Sequence, residues 1–217
     1  LATKKKSEEE ARRAAELAAK DKAQREAEKK AKQLEDLLKA KEAKMAELKK
    51  LSLEYRDKYG MSFTGFHLHH PEMDMDAFIE HGFDIDLSPL QPCVRLEQMI
   101  QNLPGQKVVF TNSPDVHASR VLRKLELDHV FDDIFDTTQF DFYGKPHRHV
   151  YEQVMDMLGV DPKNCAMFED SHVNLKTAHE MGMKSILVNQ KNKPDVPYIS
   201  HHAARLHDFL EWLHNQG

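Results

Sequence analysis

Hydrophobic and polar positions follow different patterns before and after residue 50. In residues 1–50 the large apolar side chains are few, and in the second half they recur at intervals of four, seven and three. These are Leu34, Leu38, Met45 and Leu48. The spacing predicts a helix with an apolar stripe over residues 34–50, which we expect to dock on another surface. Residues 1–33 have mostly Ala between charged residues and predict a solvated helix.

From residue 93 onward, short apolar runs alternate with amphipathic segments. KVVF, FDDIF, CAMF and KSILV predict strands, and the segments between and after them have helical spacing. This alternation predicts an α/β fold, a Rossmann-like parallel sheet with helices on both faces. Residues 51–92, which contain aromatics, Gly and Pro, predict short helices and turns. The expected organisation is a helix over 1–50, a helical segment over 51–92 and an α/β core over 93–217.

Charge separates the first segment from the rest. Residues 1–50 carry 16 Lys and Arg against 11 Asp and Glu, whereas the remaining residues carry 15 against 25. Twelve Ala, with no Gly before Gly60 and no Pro before Pro71, favour a single projecting helix or a weak coiled coil that could bind a helical partner. Interleaved acids cancel most of the positive field, so we expect no nucleic-acid partner.

Composition narrows the cellular context. The 217 residues are 40% hydrophobic, and no apolar run is long enough to predict a membrane span. The first residues lack the apolar core of a signal peptide. Two cysteines, Cys93 and Cys165, fit a reducing compartment better than a disulfide framework. We therefore expect a cytoplasmic location and no membrane partner.

Polar residues follow three of the predicted elements. Thr111 and Asn112 follow VVF, Lys145 lies in GKP just before a predicted helix, and Glu169 and Asp170 follow CAMF. Ligands of parallel sheets bind beyond the carboxyl ends of the strands. A hydroxyl, an ammonium and two carboxylates suit a phosphate held beside Mg²⁺, which takes oxygen ligands and often only one or two carboxylates. The expected site has Thr111, Asn112 and Lys145 on phosphate, and the two acids on the metal, which would let both stay ionised.

These stretches, in this order, resemble the haloacid dehalogenase (HAD) superfamily. TN at 111–112 is similar to its second motif, Lys145 to its third and EDS at 169–171 to its fourth. Over roughly residues 50–190 the chain further resembles the pyrimidine 5′-nucleotidase branch. The resemblance implies Mg²⁺-dependent dephosphorylation of a nucleoside monophosphate such as UMP or CMP, or of another small phosphoester. It also implies that Lys145 stabilises phosphoryl charge, that 51–92 is a partial helical cap and that Asn174 hydrogen-bonds across the site.

The first motif of the superfamily, an apolar strand ending in DxDxT, is not found. Its first Asp is the nucleophile that forms an aspartyl phosphate. Residues 1–50 contain no DxD. Three later stretches partly match this motif: Asp74–Asp76, Asp84–Ser88 and Asp136–Thr138. The first two do not follow a predicted strand. The third follows one, but the resemblance matches that strand to a non-catalytic strand of the family. The nucleophile is therefore unknown, and the expected enzyme is inactive or impaired with weak or lost Mg²⁺ binding. The alternative is a non-catalytic interaction protein, a pseudoenzyme with a helical arm.

Two other clusters have a structural and a functional interpretation. Ser171, like Asn174, could hydrogen-bond to the residues that bind the ligands, but its position favours a helix cap. The HLHH stretch, with His67, His69 and His70, could bind a metal. No Cys lies nearby, so a solvated or partly buried turn is favoured over zinc.

Overall fold

The computed structural model describes residues 2–215, except for the side chains of residues 2–12, 14, 15, 18 and 19. The chain forms two compact units, residues 1–51 and residues 52–217. Within residues 2–215, no helix combines the length and the apolar character that a membrane span requires.

The first helix, α1 (Ala2–Tyr59), is longer than the predicted one. It continues past residue 50 because no Gly or Pro interrupts it before Gly60, whose φ of +79° is a left-handed conformation that ends the helix. The apolar stripe is exposed: Leu34, Leu38, Met45 and Leu48 are between 39% and 59% exposed. The expected docking of residues 34–50 on another surface stays a prediction.

Two short helices follow, as the composition of this segment predicts. They are α2 (Ser62–His69) and α3 (Met75–Gly82). Asp74 caps α3 by accepting a hydrogen bond from Ala77 N at 3.0 Å. The rings of Phe63 and Phe66 both pack against Phe78, which joins the two helices.

The remaining chain alternates helices and strands. The helices are α4 (Val94–Gln101), α5 (Asp115–Lys124), α6 (Arg148–Leu158), α7 (His172–Glu180) and α8 (Leu206–His214). The strands are β1 (Val108–Phe110), β2 (Asp133–Phe135), β3 (Ala166–Glu169), β4 (Lys184–Leu187) and β5 (His201–His202). Two 3-10 turns, Thr137–Phe140 and Pro162–Asn164, complete the order.

The strands form two parallel sheets where one was expected. One sheet has the order β1-β2 and the other β3-β4-β5, and every pairing is parallel. The pattern did not predict β5, which has only two residues. Among the described residues, β1 pairs only with β2, and β3 pairs only with β4.

Helices cover both faces of these strands. On one face, side chains from α4, α5 and α8 pack with Val109 of β1 and Phe168 of β3. On the other face, Tyr151 of α6 and Ala178 of α7 pack with Phe110 of β1 and Met167 of β3. The predicted α/β fold, with parallel strands, helices on both faces and a long N-terminal helix, is confirmed.

Candidate phosphate and metal site

Lys145 lies between the carboxyl ends of β1 and β3. Its Nζ donates to Glu169 Oε2 at 2.6 Å and to the backbone oxygen of Phe110 at 2.7 Å. Lys145 and Glu169 are each only 8% exposed, so the ion pair is largely shielded from water. A lysine ammonium has three donors, and these two bonds leave one for a ligand.

The backbone of Lys145 is held by the side chain of Asn112. Asn112 Nδ2 donates to Lys145 O, and Asn112 Oδ1 accepts from Lys145 N, each at 2.8 Å. This close contact between Asn112 and the Lys145 backbone requires glycine at position 144, because a Cβ there would lie 2.5 Å from Asn112 Oδ1 and 2.7 Å from Met61 Sδ. The predicted contact of Asn112 with phosphate stays a prediction, and in the structure its side-chain amide positions Lys145.

Glu169 is held as a carboxylate. Burial alone would raise its pKa, but the charge of Lys145, with hydrogen bonds from Asp170, Lys145 and Ser171 N, outweighs burial and leaves the pKa below its ordinary value. The bond from Ser171 N reaches Oε1 at 3.1 Å. Both oxygens of Glu169 are therefore already hydrogen-bonded.

Asp170 is the more open member of the acid pair. Its hydrogen bond to Glu169 raises its pKa above the ordinary value, and burial and the negative charge of Glu169 add to this effect. An open cavity of about 550 Å³ is lined by Asp170, Ser171, His172 and Lys193, among others. Asp170 is the carboxylate that faces a space large enough for a ligand.

Thr111 lies directly after β1. Its backbone N–H donates to Phe135 O at 2.9 Å, and its Oγ1 accepts from Ser113 N at 3.0 Å. The hydroxyl proton is not used by the bond from Ser113, so Thr111 can still donate to a bound anion.

Ser171 and Asn174 lie at the start of α7. Ser171 occupies the N-cap position, but its hydroxyl makes no capping hydrogen bond. The backbone oxygen of Asn174 accepts from Tyr151 Oη at 2.8 Å, which ties α7 to α6. Ser171 lies beside the acid pair, because its backbone N–H donates to Glu169, whereas the predicted hydrogen bond of Asn174 across the site stays a prediction.

The residues present fit a divalent cation only in part. Glu169 and Asp170 were the predicted metal ligands, yet the cation that compensates Glu169 in the structure is Lys145. Within the described part of the chain, no three His, Cys, Asp or Glu residues are grouped as a metal centre. Asp170 remains as an available oxygen ligand, which is enough for a cation that also binds a substrate and water.

None of the three DxD-like stretches stands at the end of a strand beside Lys145. Asp84 and Asp86 are exposed in the turn after α3, where Asp86 accepts from Ser88 N at 2.9 Å. Asp136 does follow β2, but it is only 1% exposed and accepts from Asp115 N at 2.6 Å. Asp136 therefore fixes the start of α5, and the nucleophile is not found among these residues.

Two of the three histidines of HLHH lie within hydrogen-bond distance of tyrosines. His70 Nε2 lies 3.0 Å from Tyr55 Oη, and His69 Nε2 lies 2.6 Å from Tyr59 Oη. The His67 ring packs on Phe142. These contacts give the cluster a packing role.

Sequence reasoning missed two groups at this site. One is the backbone oxygen of Phe110, which a strand pattern cannot single out. The other is Tyr151, fully buried, whose pKa is raised strongly by burial and by the charge of Glu169. Its place on the apolar face of α6 indicated a core residue only.

Comparison with known proteins gives a family match over most of the chain. A model of the haloacid dehalogenase-like hydrolases matches residues 6–182. Hexitol phosphatase B from two Escherichia coli strains, K12 and O157:H7, is 32% identical over 101 residues, which cover 46% of this chain and 45% of that protein. The chain therefore spans less than half of the length of these curated relatives.

One solved structure supports the fold, and a second is similar over a smaller part of the chain. A dehalogenase crystal structure with an intermediate complex aligns with a TM-score of 0.53 at 16% identity, covering 76% of this chain and 80% of that one. A HAD family enzyme from Bacteroides thetaiotaomicron, in complex with magnesium and inorganic phosphate, aligns with a TM-score of 0.41 at 19% identity, over 49% of this chain and 58% of that one. At these identities the first likeness concerns the fold alone, and the second carries no weight for the site.

Proposed function

The chain belongs to the haloacid dehalogenase-like hydrolases, and we propose that its strand-end site binds the phosphoryl group of a small phosphate monoester together with Mg²⁺. The observation that carries the proposal is the position of Lys145. Its ammonium is buried at the carboxyl ends of β1 and β3, and Asp170 follows the second of these strands.

The phosphoryl group would be bound by Lys145 and Thr111. The remaining N–H of Lys145 and the hydroxyl of Thr111 are donors, and preorganised donors stabilise the charge of a phosphoryl group without reorganisation. Asn112 acts through Lys145, because its amide fixes the lysine backbone on both sides.

Asp170 would supply the carboxylate for Mg²⁺, and Glu169 would remain paired with Lys145. The resemblance of the three strand-end motifs to the superfamily implies Mg²⁺ as this cation. When bound, the ion would neutralise charge on the phosphoryl oxygens. With one free carboxylate among the described site residues, we propose that binding is weak unless phosphate is also present.

Two substrate classes are supported by different observations. The resemblance of residues 50–190 to pyrimidine 5′-nucleotidases favours a nucleoside monophosphate such as UMP or CMP. The similarity to hexitol phosphatase B favours a hexitol phosphate. The open cavity of about 550 Å³ borders Asp170 and does not discriminate between the two classes.

Hydrolysis in this superfamily needs an attacking carboxylate, and the described residues offer none beside Lys145 other than the acid pair. Glu169 has both oxygens engaged, and Asp170 is our proposed metal ligand. We therefore propose that a purified protein of this sequence hydrolyses phosphate monoesters at background rate.

A binding experiment tests the site. The thermal midpoint is measured with Mg²⁺, with inorganic phosphate and with both, for the chain and for Asp170→Asn. Exposed Asp156 on α6 provides the control variant Asp156→Asn. We expect the pair of ligands to stabilise the chain and Asp156→Asn equally, and Asp170→Asn much less. Equal stabilisation of all three would reject Asp170 as a ligand.

A phosphate-release assay tests turnover. UMP and a hexitol phosphate are compared with Mg²⁺ present, using the chain, Asp84→Asn and Asp170→Asn. Turnover that is lost in Asp84→Asn would identify Asp84 as the nucleophile and overturn the proposal of background activity. Turnover that is lost only in Asp170→Asn would show that the chain has a nucleophile that is not among the candidates named above.

The second candidate is an interaction protein on the same scaffold. It is favoured by the exposed stripe of Leu34, Leu38, Met45 and Leu48 on α1, which fits a helical partner. Self-association or partner binding that is lost when these residues become Ser, without any change in phosphate binding, would support this candidate.

A further inference from the structure

Phe110, the last residue of β1, contacts the Lys145 ammonium in two ways. Its backbone oxygen accepts a hydrogen bond from Lys145 Nζ at 2.7 Å. Its ring lies under the same nitrogen, with 5.1 Å between Nζ and the ring centroid. An ammonium within about 6 Å of an aromatic centroid is attracted by the negative face of the ring. Phe110 therefore acts on the ammonium through both its backbone and its side chain.

The backbone and the ring of Phe110 are held by different parts of the fold. β1 pairs with β2 and places Phe110 opposite Phe135, so the sheet fixes the backbone oxygen. The sheet does not fix the ring, because a half-buried phenylalanine side chain has several staggered rotamers. The orientation of the ring is therefore set by the side chains that pack against it.

Tyr151 of α6 packs against the Phe110 ring from the side. The two ring centroids are 5.0 Å apart and the ring planes are at 85°, the edge-to-face arrangement that aromatic pairs favour. Tyr151 is fully buried, and its hydroxyl donates to Asn174 O at 2.8 Å. Burial, and after it the charge of Glu169, raises the pKa of Tyr151 far above its ordinary value, so the hydroxyl keeps its proton. The Tyr151 ring is thus held between α6 and α7.

The position of the ammonium determines what Lys145 can offer to a ligand. Two of its N–H groups bind Phe110 O and Glu169 Oε2, and one is left. Lysine has a flexible four-carbon stem and loses much rotamer entropy when its charged group is fixed. The Phe110 ring restricts the ammonium and shields it from water, so the remaining donor has its direction before phosphate binds.

We propose that Phe110 and Tyr151 are positioning residues of the phosphate site. The ring of Tyr151 orients the ring of Phe110, and the ring of Phe110 holds the Lys145 ammonium in the direction that binds a phosphoryl group. The inference rests on the proposed function for its ligand and on the two ring contacts for its residues. Both residues act through Lys145, and neither contacts the phosphoryl group.

Phosphate affinities of matched variants test the two rings. Inorganic phosphate is titrated into the full chain by calorimetry, with Mg²⁺ in fixed excess. We expect about tenfold weaker binding in Phe110→Leu, which loses the ring under the ammonium. Tyr151→Leu should bind about threefold or more weakly, because the Phe110 ring is free to turn. The control is Phe209→Leu, which removes a buried ring from another core cluster and should leave the affinity unchanged.

Tyr151→Phe separates positioning from stability. This variant keeps the ring and loses the hydrogen bond to Asn174 O, so its thermal midpoint should fall while its phosphate affinity stays that of the parent. Affinities that fall in step with the thermal midpoints of all four variants would show a merely structural role and overturn the proposal. If Tyr151→Leu does not fold, Phe110→Leu decides alone, and an affinity equal to that of the parent would overturn the proposal.

The NMR signal of the Lys145 ammonium reports on the rings without phosphate. Protons over the face of an aromatic ring resonate upfield, so this signal, assigned by its loss in Lys145→Arg, should move downfield in Phe110→Leu and Tyr151→Leu and stay in place in Phe209→Leu. An unchanged signal in Tyr151→Leu would exclude Tyr151 as a positioning residue. A parent chain that binds no phosphate would reject the proposed function, and the spectrum would still show whether the two rings hold the ammonium.

Discussion

Asn112 clamps the backbone of Lys145 with both ends of its side-chain amide, through Nδ2 to Lys145 O and Oδ1 to Lys145 N at 2.8 Å each. The two residues are 33 positions apart, so the clamp joins the loop after β1 to the loop before α6. The buried ammonium of Lys145 is directed to Glu169 from this fixed backbone. Asn112 thus contributes to the site by positioning the lysine.

Replacing Asn112 by Asp should destabilise the chain. The substitution removes the donor to Lys145 O and brings a carboxylate oxygen against it, which leaves a half-buried acceptor unpaired. We expect the free energy of unfolding to fall by about 1–3 kcal/mol, measured by urea denaturation. The control is Asn164→Asp, because Asn164 is exposed. An equal and small change in both variants would contradict a structural role for the clamp.

Gly144→Ala should be strongly destabilising, whereas Gly82→Ala should not. The new methyl group at position 144 would meet Asn112 Oδ1 at 2.5 Å and Met61 Sδ at 2.7 Å, and the same methyl group at 82 would meet no atom within 4 Å. Because Gly82 is helical, alanine there should stabilise the chain by up to about 1 kcal/mol. Thermal midpoints of the two variants should therefore shift in opposite directions, and a tolerated Gly144→Ala would show that the loop can move.

The α/β order of the chain was predictable because the strands and helices differ in hydrophobic period. The same reasoning predicted that Lys145, Glu169 and Asp170 lie at one end of the strands. In the structure they lie at the carboxyl ends of β1 and β3. It also assigned Mg²⁺ as the ion that keeps the acids charged. The structure pairs Glu169 with Lys145, a contact across 24 residues that no local pattern contains.

The roles of Asn112 and Tyr151 were not predictable from the chain alone. An asparagine after a strand looks the same whether its amide faces a ligand or a distant backbone. Tyr151 has the spacing of a core residue, and its bond to Asn174 O depends on how α6 packs on α7. The division into two sheets was also not predicted, because a hydrophobic pattern identifies a strand but does not show which other strand it pairs with.

Deleting residues 1–33 should leave the thermal midpoint nearly unchanged. The described side chains of residues 20–33 are all exposed, so their removal takes away little buried surface. We expect a shift below about 2 °C in a thermal melt. A longer deletion, through Gly60, should cause a large drop, because it removes Tyr55, which packs on Phe66, and Tyr59 O, which lies 2.6 Å from His147 Nε2. Similar midpoints for both deletions would show that this end of α1 is not needed.

Glu169→Gln should destabilise the chain near neutral pH. The pKa of Glu169 is below its ordinary 4.5 in the fold, so its charge contributes stability above that pH, which is lost as the pH falls through the folded pKa. Glutamine would leave the buried Lys145 ammonium without its partner. Loss of one member of a buried pair costs about 3–5 kcal/mol. Urea midpoints should differ most at pH 7 and converge in acid, and a difference that is independent of pH would exclude the charge as its cause.

Asp170→Asn should have the opposite effect in the absence of Mg²⁺. The pKa of Asp170 is raised by its hydrogen bond to Glu169, so the stability this group contributes is fully present below its unfolded value of about 3.8 and is lost as the pH rises through the folded pKa. Asparagine keeps a donor for Glu169 without the repelling charge. The variant should therefore unfold at a higher urea concentration than the parent at pH 7 and at the same concentration near pH 3. Saturating Mg²⁺ and phosphate should reverse this order at pH 7 by stabilising only the parent. A variant that is less stable than the parent in metal-free buffer at pH 7 would mean that ionised Asp170 has a cationic partner in the fold.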